Sequence, residues 1–309
     1  MLHALLAVAF AVQSPAAAPP VPGLVAAGVT PTKVASGLRF TEGPAADAEG
    51  RVLFTDVPAN RILALKPDGS GFDEFLADSK GCNGLMFAAD GSLRACQGNA
   101  GRLVRIDPKS KAIEPLAESL GIDGKPQPLG RVNDLTIDAG GGVYFTDPAF
   151  GRPSATAGVL YRDAKGELTR VDTAIELPNG VLLSPDGKTL YVLSSKEPSI
   201  HAFAVLGPGK LGERTTLASL RGRDGAASGG IGDGLAVDAR GNLWCTNPKS
   251  SQVQVFSPQG SFLGAIDFPE APSNCAFGGD GKTLFVTAQT GVYTLATLVE
   301  GHWVAKRAK

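Results

Sequence analysis

Six polar residues open similar segments along the chain, each at the start of a short apolar run. All six carry a side-chain oxygen, as a carboxylate or a carboxamide: Glu42, Asn83, Asn133, Asn179, Asp233 and Asn274. Successive members lie 41, 50, 46, 54 and 41 residues apart. Carboxylate and amide oxygens are the ligands that hard divalent cations take in proteins. If the fold brings the six together, they predict a metal site in which Glu42 and Asp233 supply the charge.

The segments that these residues open are copies of one hairpin. Each copy has an apolar run, a turn that contains Gly, and a second apolar run that ends in a small or polar residue. In the first copy, two more strand-like runs follow at residues 61–66 and 73–76. Four short strands in every 40 to 50 residues, roughly, are typical of a β-propeller blade. The sequence therefore predicts an all-β fold: a six-bladed β-propeller of four-stranded antiparallel blades around a central, metal-containing channel.

The innermost strands of a propeller line its channel, so the six residues should ring one mouth of it. Each second strand returns to the same mouth, which places Asp147 beside Asn133. The other residues at the ends of second strands, such as Asp56, are interpreted as strand terminators. The long connections 115–132, 148–157 and 221–232 are interpreted as irregular loops on this face, where functional residues concentrate.

The N-terminal region has the composition of a leader. No Asp, Glu, Lys or Arg precedes Lys33, and the apolar run at residues 4–12 is too short to cross a bilayer. This predicts a secretory signal peptide over residues 1–18, an Ala/Pro-rich linker over 19–32, and a single β-propeller domain over 33–309. The run 33–39 is available as the outer strand of the last blade. We expect a periplasmic or secreted protein with no membrane span.

Composition narrows the classes of function. The net charge is −1, with no basic run except at the C-terminal end, which argues against binding nucleic acid. The four Cys show no C-x-x-C spacing and are expected to pack as small apolar residues, although an oxidising compartment permits one disulfide. Nucleophile-elbow, zincin and Walker motifs do not occur, and His3, His201 and His302 are poorly placed for catalysis. The sequence sets no oligomeric state.

Several motifs resemble those of the SMP-30/gluconolactonase/LRE-like family. They lie at residues 40–44, 130–134, 145–148, 178–180, 232–235 and 274–279. The resemblance runs from about residue 34 to 300 and implies a divalent metal at the centre of the propeller. Calcium is expected, with zinc, manganese or iron as alternatives. One stretch departs from the family: bacterial members often carry Cys-Glu-His-Gly where residues 96–99 are Cys-Gln-Gly-Asn.

The resemblance also implies roles for particular residues. It implies that the metal is held by Glu42, Asn179 and Asp233. It further implies that Asn133 binds substrate or joins the metal shell, and that Arg131 contacts substrate.

The leading hypothesis is a metal-dependent hydrolase that opens an aldonolactone or gluconolactone-like substrate. The metal would polarise the carbonyl while Asp233 assists the attack of water, with Asp147 and Asp134 as alternative bases. The remaining polar residues would hold the small-molecule substrate: Arg131 and Asn133 at the ring hydroxyls, Asn83 and Asn274 in the pocket wall. Two alternatives remain: a phosphotriesterase or broad esterase on the same site, and a non-catalytic, metal-stabilised propeller that binds a ligand or partner.

Overall fold

The computed structural model describes residues 21–151, 154–226 and 231–303, where nearly all regular structure is β-strand. Six antiparallel sheets each contain the four strands of one blade. Each innermost strand contacts the innermost strand of the next blade, and that of the last blade contacts that of the first. The strands therefore close into a ring, and the predicted six-bladed β-propeller is confirmed.

The two inner strands of each blade carry the repeat seen in the sequence. The innermost strands are β2 (Thr41–Ala46), β6 (Cys82–Phe87), β12 (Leu135–Ile137), β16 (Pro178–Leu183), β20 (Leu235–Asp238) and β24 (Pro272–Gly278). The second strands are β3 (Val52–Asp56), β7 (Leu93–Gln97), β13 (Val143–Asp147), β17 (Thr189–Ser194), β21 (Leu243–Asn247) and β25 (Thr283–Ala288). The second strands are almost wholly buried, because each lies between two neighbouring blades.

The two outer strands of each blade contain more partly or fully exposed residues than the second strand does. The third strands are β4 (Arg61–Leu65), β8 (Arg102–Ile106), β14 (Gly158–Arg162), β18 (Ser199–Gly207), β22 (Gln252–Phe256) and β26 (Gly291–Ala296). The outermost strands are β5 (Phe72–Leu76), β9 (Ile113–Ala117), β15 (Leu168–Asp172), β19 (Lys210–Ser219), β23 (Phe262–Asp267) and β1 (Thr32–Ala35).

The turn between the first and second strands is the same in all six blades. Each has a glycine with φ between 71° and 89°, a left-handed conformation that glycine adopts without steric cost: Gly50, Gly91, Gly141, Gly187, Gly241 and Gly281. The N–H of each glycine donates to the carbonyl three residues earlier. The repeated Gly of the sequence is therefore a requirement of the hairpin backbone.

The N-terminal strand closes the ring, as the sequence predicts. β1 pairs with β26 and so becomes the outer strand of the last blade. A clasp beside it centres on Glu270, which accepts hydrogen bonds from Lys33 Nζ, from the Thr290 N–H and hydroxyl at 2.8 Å, and from the Tyr293 hydroxyl at 3.0 Å. Burial alone would raise the pKa of Glu270, but these hydrogen bonds outweigh it and lower the pKa to about 2.

This clasp should make ring closure sensitive to acid. Because the folded-state pKa of Glu270 is depressed, its stabilisation is complete above about pH 4.5 and disappears as the pH falls towards 2. We expect Glu270→Gln to lower the free energy of unfolding by about 1–2 kcal/mol at pH 7. In thermal unfolding, the difference from the unmodified protein should shrink steadily below pH 4. Glu213→Gln, on the exposed face of β19, is the control and should change stability by less than about 0.5 kcal/mol. A pH-independent difference would contradict the assignment.

The described part of the C-terminal segment lies at the far end of the channel. β27 (Gly301–His302) pairs with the last residues of β20, at the end of that strand away from the predicted ring. The Trp303 Nε1 donates to the carbonyl of Asp47 at 3.3 Å, and the indole packs against the cores of three blades. This strand is not among the elements predicted from the sequence.

Two other segments differ from the sequence interpretation. The connection 115–132, interpreted as an irregular loop, contains the end of β9 and a separate hairpin of β10 (Ser119–Ile122) and β11 (Lys125–Pro128). Residues 21–29, within the segment predicted as a linker, pack on the last blades, where Val21 and Leu24 are at most 4% exposed. The predicted signal peptide lies outside the described residues. Within the described ranges, no helix has the length and apolarity needed to cross a bilayer.

The cysteines behave as predicted. Cys82, Cys96, Cys245 and Cys275 are all buried and unpaired. Burial raises the pKa of the Cys82 thiol to about 12, so this group stays neutral. These side chains contribute to the apolar core, as free buried cysteines commonly do.

Candidate functional site

The six predicted ring residues meet at one end of the channel, where the innermost strands begin. The N–H of Gly84 donates to the Asn133 carbonyl, and the N–H of Gly180 donates to the Asp233 carbonyl, both at 2.8 Å. On the other side of the ring, Asn274 Nδ2 donates to Glu42 Oε2 at 3.2 Å. Neighbouring blades are therefore joined to each other at the level of the ring.

Glycine follows four of the six ring residues because the blades nearly touch there. A Cβ atom on Gly43 would lie 2.1 Å from the carbonyl oxygen of Asn83, and one on Gly180 would lie 2.2 Å from that of Asp233. Real side chains do not tolerate such distances. The Asn-Gly and Asp-Gly pairs of this sequence therefore mark close backbone approach between blades, not turns.

Threonine hydroxyls near the ends of second strands donate hydrogen bonds to the backbone carbonyls of ring residues. Thr55 Oγ1 donates to the Asn83 carbonyl at 3.1 Å, and Thr146 Oγ1 donates to the Asn179 carbonyl at 2.8 Å. Both threonines are fully buried. The ring side chains are thus positioned by packed strands, which fix a site more rigidly than loops do.

Three carboxyl groups interact within the ring. Burial, together with the smaller effect of the charge of Asp134, raises the pKa of Glu42 to about 8. Burial also raises the pKa of Asp134 to about 7. For Asp233, burial and then the charge of Glu42 raise the pKa well above its usual range. In the protein without a cation, this cluster therefore retains protons near neutral pH, chiefly because burial disfavours the ionised forms and in addition because neighbouring carboxylates repel one another.

The amides around these carboxyls have distinct environments. Asn274 donates to Glu42 and lowers the pKa of Asp134 through a hydrogen bond, so its contacts are with the carboxyl cluster. The buried Oδ1 of Asn83 has no hydrogen-bond partner in the part of the chain that the structure describes. An orphaned buried acceptor is unusual and fits an atom that faces a missing cation or water.

Asp233 and Asn83 give the ring its access to solvent. Both are partly exposed, whereas Glu42, Asn133 and Asn179 are 3–4% exposed. A molecule approaching from solvent therefore meets Asp233 and Asn83 first.

The contacts of Asp147 point to a structural role instead of the catalytic one predicted from the sequence. This fully buried carboxylate accepts hydrogen bonds from the Gly130 N–H at 2.7 Å, the Arg131 N–H at 3.0 Å and the Thr156 hydroxyl at 2.6 Å. Both carboxylate oxygens of Asp147 accept hydrogen bonds. Asp147 therefore fixes the loop that contains the half-buried Arg131 and leads to Asn133.

The equivalent residues of other blades act in the same way. Asp56 accepts from the N–H of Phe40 at 3.2 Å, and Asn247 donates to the Arg221 carbonyl at 2.8 Å. In each case the side chain that ends a second strand binds the loop leading into the same blade. These residues are therefore loop anchors, and strand termination alone does not describe them.

A small cavity of about 60 Å³ lies beneath the ring. Asp134 and Asn274 line its upper end, Val181 and Leu235 its wall, and His302 and Trp303 its far end. Ligand pockets are usually about 300–1,000 Å³, so this space is too small for a sugar lactone. In the part of the chain that the structure describes, this side of the ring therefore has no room for such a substrate.

The donor atoms of the ring fit a hard divalent cation. Carboxylates from Glu42 and Asp233 stand beside the amides of Asn133 and Asn179, and the orphaned oxygen of Asn83 is near them. Within the described ranges, no group of three or more His, Cys, Asp and Glu side chains is arranged to hold a metal. The candidate site therefore depends on amide oxygens, the donors that calcium accepts and that soft metals avoid.

The sequence profile of the SMP-30/Gluconolactonase/LRE-like region matches residues 40–290. The chain belongs to this family. The match spans all six ring residues, so the site described above lies within the shared region.

Relatives of this family member include enzymes with more than one activity. A gluconolactonase of Zymomonas mobilis is 31% identical over 303 residues, covering 88% of this chain and 83% of that protein. A diisopropyl-fluorophosphatase of Loligo vulgaris is 27% identical over 294 residues, covering 83% and 88%. The solved structure of a gluconolactonase from Xanthomonas campestris superposes with a TM-score of 0.78 at 27% identity, covering 93% of this chain and 99% of that one.

Proposed function

We propose that this family member is a metal-dependent hydrolase that opens a lactone ring, with an aldonolactone as the substrate class. The observation that carries the proposal is the pair of interacting carboxyls, Glu42 and Asp233, which lie with amide side chains at the end of the channel where the innermost strands begin. The gluconolactonase relatives support the lactone as the substrate class.

Glu42, Asn179 and Asp233 would hold the cation, with Asn133 completing the shell or contacting substrate. A divalent cation bound there would polarise the lactone carbonyl and lower the pKa of water. We expect calcium, because the donors are all oxygens. Arg131 and Asn133 would bind the substrate hydroxyls, since the anchored loop brings both to the mouth.

Asp233 is the base that the geometry favours. Asp233 is partly exposed and so accessible to water, whereas Asp134 is buried and lines the small cavity below the ring. Asp233 would take a proton from water as the new bond to the carbonyl carbon forms. The bond from that carbon to the ring oxygen then breaks, and the proton passes to the leaving oxygen.

The test is lactone hydrolysis by metal-stripped protein, with Ca²⁺, Zn²⁺, Mn²⁺ or Fe²⁺ added back singly. A pH-indicator assay on aldonolactones and γ-butyrolactone follows the acid released. We expect one ion to restore the rate. A folded protein that binds metal yet opens no lactone would contradict the proposal and favour the non-catalytic, metal-stabilised propeller.

A second candidate is phosphotriester hydrolysis at the same ring. The diisopropyl-fluorophosphatase relative is the observation that favours it. A chromogenic phosphotriester and a simple phenyl ester belong in the same assay. A higher kcat/KM for the phosphotriester than for every lactone would replace the first candidate with this one.

A periplasmic or secreted location is also part of the proposal. It rests on the leader-like composition of residues 1–18, which lie outside the described residues. Fractionation followed by N-terminal sequencing tests it. Recovery of the intact N-terminus in the cytoplasm would contradict it.

A further inference from the structure

A serine outside the predicted set contacts one of the candidate metal ligands. Ser195 directly follows β17, the second strand of the fourth blade. Asn179 Nδ2 donates to the Ser195 Oγ at 2.7 Å. The Ser195 hydroxyl in turn donates to the Gly232 carbonyl at 3.4 Å. One side chain thus links Asn179 to the backbone just before Asp233.

These two contacts determine which way the Asn179 amide is turned. A hydroxyl has one proton, and that of Ser195 goes to Gly232, so its lone pairs can only accept. The amide accordingly presents its nitrogen to Ser195 in the structure. The Asn179 Oδ1, the atom a cation would take, is left facing away from the Ser195 hydroxyl.

The arrangement is specific to one blade. The residue directly after the second strand is a serine only in the fourth blade; its equivalents are Val57, Gly98, Pro148, Pro248 and Gln289. Asn133 and Asn274, the amides of other blades, have no comparable hydroxyl in this position. A requirement of the hairpin itself would recur in every blade, so the serine serves the particular residue that it contacts.

We infer that Ser195 is a positioning residue for the candidate metal site, which holds the Asn179 amide with its Oδ1 available to a divalent cation. The inference rests on the proposed metal site. Without the hydroxyl, the Asn179 amide is free to rotate by half a turn. Its N–H groups would then face the cation and repel it. Partners that orient a metal ligand in this way typically change metal affinity by roughly 10–100-fold.

The test is calorimetric titration of metal-stripped protein with Ca²⁺, or with whichever ion restores activity. Ser195→Ala should weaken metal binding by roughly 10–100-fold. Ser195→Thr, which keeps the hydroxyl, should restore affinity to within about threefold. Ser195→Cys keeps the size of the side chain with a poor acceptor, and should behave as the alanine variant does. The matched control is Ser257→Ala, which removes a hydroxyl from a turn between β22 and β23, far from the ring.

The thermal midpoint of each metal-free variant separates lost binding from lost folding. Midpoints within a few degrees of the unmodified protein, together with weaker binding in the alanine and cysteine variants alone, would support the inference. Unchanged affinity in Ser195→Ala, or in Ser195→Cys if the alanine variant does not fold, would overturn it. Equal losses in the alanine and threonine variants would also overturn it. If the unmodified protein binds no divalent ion, the proposed function fails instead.

Discussion

Glu42→Gln should abolish lactone hydrolysis while making the metal-free protein more stable. The substitution keeps the size of the side chain and removes the buried carboxyl of Glu42 from the cluster of three interacting carboxyls. Loss of a metal ligand removes the electrostatic stabilisation of the reacting carbonyl, which is worth several kcal/mol. At 1.36 kcal/mol for each factor of ten, we expect kcat/KM to fall by about 10³-fold or more.

The stability change distinguishes this outcome from misfolding. Burial and the charge of Asp134 both raise the pKa of Glu42, so its ionised form is unfavourable in the metal-free fold. Replacing it with an amide removes that cost, and the thermal midpoint at pH 8 without metal should rise. Glu74→Gln, on the exposed outer strand β5, is the control and should change neither property. An active Glu42→Gln enzyme would contradict the metal-centred proposal outright.

A divalent cation should stabilise the fold, and more so at high pH. Without metal, the folded-state pKa values of Glu42 and Asp134 are raised to about 8 and about 7. The folded protein therefore binds more protons than the unfolded chain between about pH 4 and 8, so its stability falls as the pH rises through this range. A cation replaces those protons and removes the repulsion.

Thermal unfolding with Ca²⁺ and with a chelator, at pH 5.5 and pH 8, measures this effect. At 100 times the dissociation constant, a ligand that binds only the folded state adds about 2.7 kcal/mol. For a domain of this size, that is a rise in midpoint of roughly 5–10 °C. We expect this rise at pH 8 and a clearly smaller one at pH 5.5, where protons compete for the carboxylates. Equal shifts at both pH values would show that the ion binds somewhere else.

The fold was predictable because one hairpin recurs with its essential residues in place. The turn glycines, the buried second strands and the polar residue that opens each blade follow from local backbone requirements, and all are visible in the sequence. The positions of Glu42, Asn179 and Asp233 at one level of the channel follow from the repeat and are found there.

The remaining features depend on contacts between segments that are distant in the chain. The Ser195 hydroxyl reaches Asn179 only through the register of β16 and β17, which a bulge shifts between Pro178 and Val181. The loop anchored by Asp147 gives no periodic signal, so that residue resembles a free carboxylate in the sequence. A two-residue strand such as β27 is too short to recognise, although its glycine is tightly enclosed by Phe277.

The space on the side of the ring towards the C-terminal strand is too small for a sugar lactone. On the proposed function, substrate would enter and the ring-opened acid would leave on the same side of the ring, so one molecule would have to depart before the next could arrive. The product would be an anion formed near the proposed substrate-binding residue Arg131, and it would occupy the position that the next lactone requires. Product should therefore compete with substrate for the site. As the acid accumulates in solution, the rate of turnover should fall.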